Sequence, residues 1–128
     1  MIKVPFLSLT LADDRPAIDA AIRRVLDRGW FILGPELEAF ESELAAASGT
    51  SAAVGVGTGT DALALILRGL GIGAGDEVVT SPLSAAYTAL AIMMAGARPV
   101  FADIDPDRLT LSPAALDAAI TPLSLIHI

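Results

Sequence analysis

Cysteine is absent from the 128 residues, which excludes disulfides and thiolate metal sites. Lys3 is the only lysine and His127 the only histidine. A mechanism that needs a buried lysine or a histidine base is therefore not complete within these residues. Basic residues are few, 8 against 15 acidic, for a net charge of −7 and a pI near 4.4. The arginines are spread thinly and form no patch, so no nucleic-acid partner is expected. Aromatic residues are sparse, with one Trp, one Tyr and four Phe. The uncharged run from Pro82 to Ala97 contains Ser, Thr and Gly and is too short to span a bilayer. Met-Ile-Lys-Val-Pro at the start is no signal peptide. A soluble cytoplasmic protein without a membrane partner is the expectation.

What is abundant is alanine and leucine, in an order that reads as α/β. Met1 to Leu11 is extended, because Pro5 restricts Val4. Asp13 or Asp14 is placed to cap a helix that Pro16 opens and Gly29 ends. Ile18, Ala21, Ile22, Val25 and Leu26 recur along it at helical spacing. Trp30 to Leu33 is a short apolar segment, suited either to a contact surface or to a core-lining connector. Gly34-Pro35 starts a second helix with a buried stripe of Leu37, Phe40, Leu44 and Ala47. Glu36, Glu38, Glu41 and Glu43 mark its solvated side and are not read as a metal site. Ala52 to Val56 reads as a buried strand. A glycine turn follows, and a helix from Thr60 carries Leu63, Ile66, Leu67 and Leu70. Glu77 to Thr80 is a second strand, Ala85 to Ala95 a helix stopped by Gly96, and Pro99 to Ala102 a third strand. Ser112-Pro113 caps a last helix through Ile120. Strands alternating with helices give a parallel sheet.

The turn Gly57-Thr58-Gly59, between strand and helix, is the centre of the functional reading. Backbone N–H groups and the helix dipole there favour an anion, most often a phosphate, and the Thr58 and Thr60 hydroxyls can add hydrogen bonds. The plain alternative is a βα corner whose glycines only make the turn. A P-loop would need Gly-Lys-Ser/Thr, which is missing. A dinucleotide site wants a third glycine where Asp61-Ala62 stands, and an acid at the end of the next strand. An adenosylmethionine site resembles Val-Gly-Val-Gly-Thr-Gly more closely, yet needs an acid where Thr80-Ser81 stands. A pyridoxal phosphate (PLP) site needs neither acid.

Six stretches, in order, make a specific resemblance. They are Val4-Pro5-Phe6-Leu7, Gly29-Trp30-Phe31-Ile32-Leu33-Gly34-Pro35, Gly59-Thr60-Asp61-Ala62-Leu63, Gly71-Ile72-Gly73-Ala74-Gly75-Asp76-Glu77-Val78, Ala95-Gly96-Ala97-Arg98-Pro99-Val100-Phe101 and Asp103-Ile104-Asp105-Pro106. Together they resemble the N-terminal third of the DegT/DnrJ/EryC1/StrS family, sugar aminotransferases of PLP fold type I. The resemblance implies an incomplete α/β large domain, a mostly parallel sheet with flanking helices, preceded by two N-terminal helices. It implies that Thr58, Gly59, Thr60, Asp61 and Ala62 hold the cofactor phosphate, with the Asp61 side chain turned away from it. Many members carry an aromatic on the cofactor ring where this chain has Ala85; Tyr87, two places later, is the substitute from a shifted register. Trp30 and Phe31 match a loop near the dimer interface and substrate mouth.

The implied activity is transfer of an amino group, from glutamate, to a keto group of a nucleotide-linked deoxysugar. The active site would be shared across a homodimer. The lysine and the pyridine-nitrogen carboxylate of the family lie downstream of these residues, so the chain alone is expected to be inactive and poorly soluble. Two other readings stay open: a nucleotide- or adenosylmethionine-binding domain, and a non-catalytic PLP-fold binding or regulatory protein. The expected division is residues 1–122 as aminotransferase large domain and residues 123–128 as a non-native tail. Leu123 to Ile128 does not continue the pattern, and CTGTCTCTTATACACATC, the end of a transposon adapter used in sequencing libraries, encodes it.

Overall fold

The computed structural model describes residues 13–128. The extended segment expected over Met1–Leu11, including Lys3, lies outside the described residues. Two compact units divide the chain, one ending at Gly55 and the other running from Val56 to Ile128.

The first unit holds α1 (Arg15–Arg28) and α2 (Pro35–Ser48). Both open on proline in the first turn and close on a left-handed glycine, Gly29 at φ 66° and Gly49 at φ 67°. Asp14 precedes α1 in helical backbone geometry without a side-chain cap, so the expected carboxylate cap does not form. The α1–α2 connection is fastened instead by Arg24. Its Nε and Nη2 donate to the two Glu36 carboxylate oxygens, both at 2.9 Å. That hydrogen bond is the main reason the Glu36 carboxyl titrates below its ordinary 4.5. A depressed carboxylate contributes stability above its unfolded pKa and loses it as pH falls through the folded value. The expected result is a Glu36 side-chain NMR titration with a midpoint below 4.5. Arg24→Gln should return it toward that value.

The expected buried stripe of α2 is a correction. Ala45 is the buried residue of this helix, while Phe40 and Leu44 are exposed. Periodicity gave the apolar side, but no element among the described residues of this unit covers it. The expected strand at Ala52–Val56 is a second correction. The segment forms no strand, and Val54 is 80% exposed. A strand exists only through its neighbour's hydrogen bonds, and none of the described strands pairs with it. Gly55 is held here by close approach. Its N–H donates to Glu41 Oε1 at 2.7 Å, and a Cβ at this position would overlap Leu37 Cδ1.

The second unit is built from α3 (Gly59–Gly69), β1 (Glu77–Thr80), α4 (Tyr87–Ala95), β2 (Arg98–Phe101), α5 (Pro113–Ala119) and β3 (Ser124–His127). The three strands form a parallel sheet in the order β2-β1-β3. β1 is buried throughout, as the central strand of a sheet covered on both faces should be. Val78 joins Leu67, Ile72, Ile92, Ala95 and Ala97 on the α3–α4 face, with Ile126 packed against them. Its neighbour Val79 points the other way and shares a hollow with Leu116 and Ile120 of the α5 segment. Ser124–His127, inside the segment set aside as a non-native tail, takes a place in the sheet beside β1. Of the apolar residues read along α3, Leu67 is buried, as is Ala64, while Ile66 and Leu70 are exposed.

Gly96 ends α4 at φ 94°, and a Cβ there would lie 3.6 Å from the Ala74 backbone N. Gly96→Val is expected to cost about 1–2 kcal/mol or more from backbone strain. A urea midpoint lowered at unchanged slope would show it.

Candidate functional site at the N-terminus of α3

The connection from β1 to β2 places α4 on one face of the sheet. The return from β2 to β3 crosses β1 and places α5 on the other. Strand order therefore reverses beside β1, and the carboxyl edge at such a reversal is where open α/β sheets bind ligands. α3 and α4 meet at their C-terminal ends. Arg68 Nη2 near the end of α3 donates to the Met94 carbonyl near the end of α4, and the loop after α3 touches Gly96.

Thr58 caps α3 from an extended conformation, φ −148° and ψ 160°. Its Oγ1 accepts from the Asp61 N–H at 3.1 Å and donates to Asp61 Oδ2 at 2.8 Å. Within the chain the hydroxyl proton goes to Asp61. The Ala62 N–H is also spent, on the Thr58 carbonyl at 3.0 Å. Among the described residues, the Gly59 and Thr60 N–H groups and the Thr60 hydroxyl have no hydrogen-bond partner. These are the orphan donors of a helix start. The Asp61 carboxylate is held at the first turn by Thr58. Neither Gly57 nor Gly59 has a positive φ. A Cβ on Gly59 would meet nothing within 4 Å, and one on Gly57 only Asp61 Oδ2 at 3.6 Å. Neither glycine is demanded by backbone conformation or by packing within the chain, so both leave room for a group outside it.

The segment after β1 forms a shallow hollow of ≈ 260 Å³, lined by Ser81, Pro82, Ser84, Ala85, Thr88 and Phe101 among others. Ala85 lines it. Tyr87, the first residue of α4 and 65% exposed, does not. The helix starts two residues later than the expected Ala85. Trp30 and Phe31 belong to the first unit, exposed in a turn where Trp30 Nε1 donates to the Ile32 carbonyl at 2.7 Å.

One cluster escaped the sequence reading. Glu77, read only as the first residue of a strand, is buried against Arg98, Thr121 and Ser124. A charged residue opening an otherwise apolar strand was the available signal.

The sequence pattern of the DegT/DnrJ/EryC1/StrS aminotransferase family matches residues 12–126. The dTDP-3-amino-3,4,6-trideoxy-alpha-D-glucose transaminase of Streptomyces venezuelae is 51% identical over 122 residues, covering 94% of this chain and 32% of that protein. The UDP-2-acetamido-2-deoxy-3-oxo-D-glucuronate aminotransferase of Pseudomonas aeruginosa is 46% identical over 105 residues, 82% of this chain and 29% of that protein. Among solved structures, S. venezuelae DesV in complex with a ketimine intermediate superposes with a TM-score of 0.82 at 49% identity, over 90% of this chain and 31% of that one. Bacillus subtilis NtdA with bound pyridoxamine phosphate does so with a TM-score of 0.86 at 34% identity, over 98% and 29%. The chain spans about 30% of the length of these relatives. The α/β arrangement is the part of PLP fold type I that it shares with them. No helix among the described residues is long and apolar enough to cross a membrane.

Proposed function

Since the chain belongs to the DegT/DnrJ/EryC1/StrS aminotransferase family, we propose that it is the N-terminal, phosphate-holding part of a PLP-dependent sugar aminotransferase. The reading is carried by the unpartnered Gly59 and Thr60 N–H groups at the start of α3. A dianionic phosphate is the ligand such a helix start favours. The residues present fit it: the donors converge at the helix start, the glycines leave space, and the one nearby carboxylate is held at the first turn by Thr58. The Thr60 hydroxyl adds a third donor. Asp61, by accepting from Thr58, holds the cap in place and so positions the Gly59 amide. Ala85 borders the hollow at the same edge and, being small, leaves the ring face open; Tyr87 lies at the neighbouring helix start.

PLP, when bound, supplies the electron sink that transamination of a keto sugar requires. The residues of this chain bind and orient it; the lysine and the carboxylate toward the ring nitrogen belong to the longer protein. The substrate class is a nucleotide-linked keto sugar, with glutamate as the amino donor. Trp30 and Phe31 are assigned to the dimer or substrate loop, in a cytoplasmic homodimer. Residues 123–128 remain assigned to an adapter-derived tail that occupies a strand position.

The test is titration of the full-length protein with PLP and, separately, with adenosylmethionine. Binding of PLP with a visible absorbance band, and about tenfold weaker retention in Thr60→Val through loss of one charge-assisted hydrogen bond, is the expected result. Binding of adenosylmethionine instead, or no cofactor at all, would overturn the reading.

A further inference from the structure

The turn between α1 and α2 is fastened more firmly than a plain connector needs. Its apolar side chains face water: Trp30 is 54% exposed, Phe31 67% and Ile32 77%. Leu33 holds φ 51°, a left-handed backbone that a residue with a side chain adopts only where its surroundings impose it. Three features impose it here. The Trp30 indole Nε1 donates to the Ile32 carbonyl at 2.7 Å, back onto its own turn. Trp30 also closes over Gly34. A Cβ on Gly34 would lie 3.2 Å from the Trp30 carbonyl oxygen and 3.3 Å from Trp30 Cγ, and the three atoms nearest to it all belong to Trp30. Outside the turn, the Arg24 fork on Glu36 ties late α1 to the first turn of α2. An exposed ion pair contributes little stability, but a two-point fork holds its partners in one geometry.

The indole is therefore engaged within the turn. Its one donor is bonded, and its ring lies against Gly34. Phe31 and Ile32 stand further into solvent than Trp30. A side chain presented on a pre-formed turn loses less freedom on contact than one on a loose loop. We infer that, in the loop assigned above to the dimer or substrate contact, Trp30 is the positioning residue and Phe31 and Ile32 make the contact. The contact half rests on that loop assignment; the positioning half rests on the geometry of the turn alone.

Both halves are tested on the full-length protein. Solvent exchange of the Trp30 indole proton, its NMR signal identified by its loss in Trp30→Phe, reads the positioning. About tenfold protection relative to free tryptophan is expected. Gly34→Ala, whose Cβ displaces Trp30, should reduce it, and Phe31→Ala should leave it unchanged. An unprotected indole, or equal loss of protection in Phe31→Ala, would overturn the positioning role.

The dimer dissociation constant and the KM for the keto sugar read the contact. Phe31→Ala should raise one of the two by about tenfold or more, with the loss in that quantity rather than in kcat. Trp30→Phe should raise the same quantity about fivefold and add nothing when combined with Phe31→Ala. Additive losses would make Trp30 a contact in its own right and overturn the division of roles. No change in either quantity in Phe31→Ala would overturn the contact and the loop assignment with it. PLP binding, which decides the cofactor reading, is measured separately and is unaffected by that outcome.

Discussion

Replacing Gly59 with glutamate in the full-length protein is expected to weaken cofactor retention by about a thousandfold while leaving the fold as stable as before. The site for the new side chain is open, since a Cβ on Gly59 meets nothing within 4 Å. Gly59 is the first residue of α3 and has no positive φ, so a side chain introduces no backbone strain. A carboxylate in the first turn of a helix is, by itself, mildly stabilising. Toward a bound phosphate the same charge is repulsive. Two charges about 4 Å apart interact by about 4 kcal/mol at the effective dielectric of a protein surface, which is about three decades in affinity. Thermal unfolding of the apo variant and its cofactor dissociation constant would therefore move independently. Gly59→Ala, with volume but no charge, should retain cofactor nearly as well as the parent. Equal retention by Gly59→Glu would place the phosphate elsewhere.

The 128-residue chain on its own is expected to self-associate at submillimolar concentration and to unfold without a sharp transition. Its large fully buried apolar side chains are few: Leu67, Val78, Val79 and Ile92. Against them stand exposed Phe40 and Leu44 on α2, Leu65 and Ile66 on α3, Leu90 and Met93 on α4, and Trp30 to Leu33 between the first two helices. Covering one such side chain is worth about 1.5–3 kcal/mol. Covering five gains about 10 kcal/mol, comparable with the whole stability of an ordinary domain, about 5–15 kcal/mol. Contiguous apolar faces of this kind are contact surfaces, whatever covers them. Sedimentation velocity across a concentration series, with dye binding to exposed apolar surface, would show it. A monodisperse monomer with a cooperative melt would remove the expectation.

The elements legible in the sequence were those with chemical punctuation. Gly29, Gly49 and Gly96 end their helices in left-handed geometry, and the loop from Gly71 to Asp76 leads into β1 where expected. Asp76 helps close that loop by accepting from the Gly73 N–H at 2.8 Å. What the pattern could not carry was coverage. Spacing selects the apolar side of α2 or of Ala52–Val56, but burial and pairing depend on a surface brought by another element, and for Phe40 and Val54 none is present among the described residues. β3 was missed for a different reason. It lies in Leu123–Ile128, the segment set aside as a tail that does not continue the pattern. At the site, the turn and the helix start were legible, but the allocation of the Thr58 hydroxyl was not. One proton had two candidate acceptors, an external anion and Asp61, and within the chain it goes to Asp61.

The Ala52–Val56 segment, unpaired among the described residues, also sets an order of events during synthesis. From α3 onward the unit closes through a local β1–α4–β2 crossover, whose parts leave the ribosome within a short interval, and such contacts form early. Ala52–Val56 is made before all of them yet finds no partner among them. It stays open while the elements from α3 to β2 assemble. In the nascent protein this stretch, with Val54 facing water, is where a chaperone would have the longest time to bind.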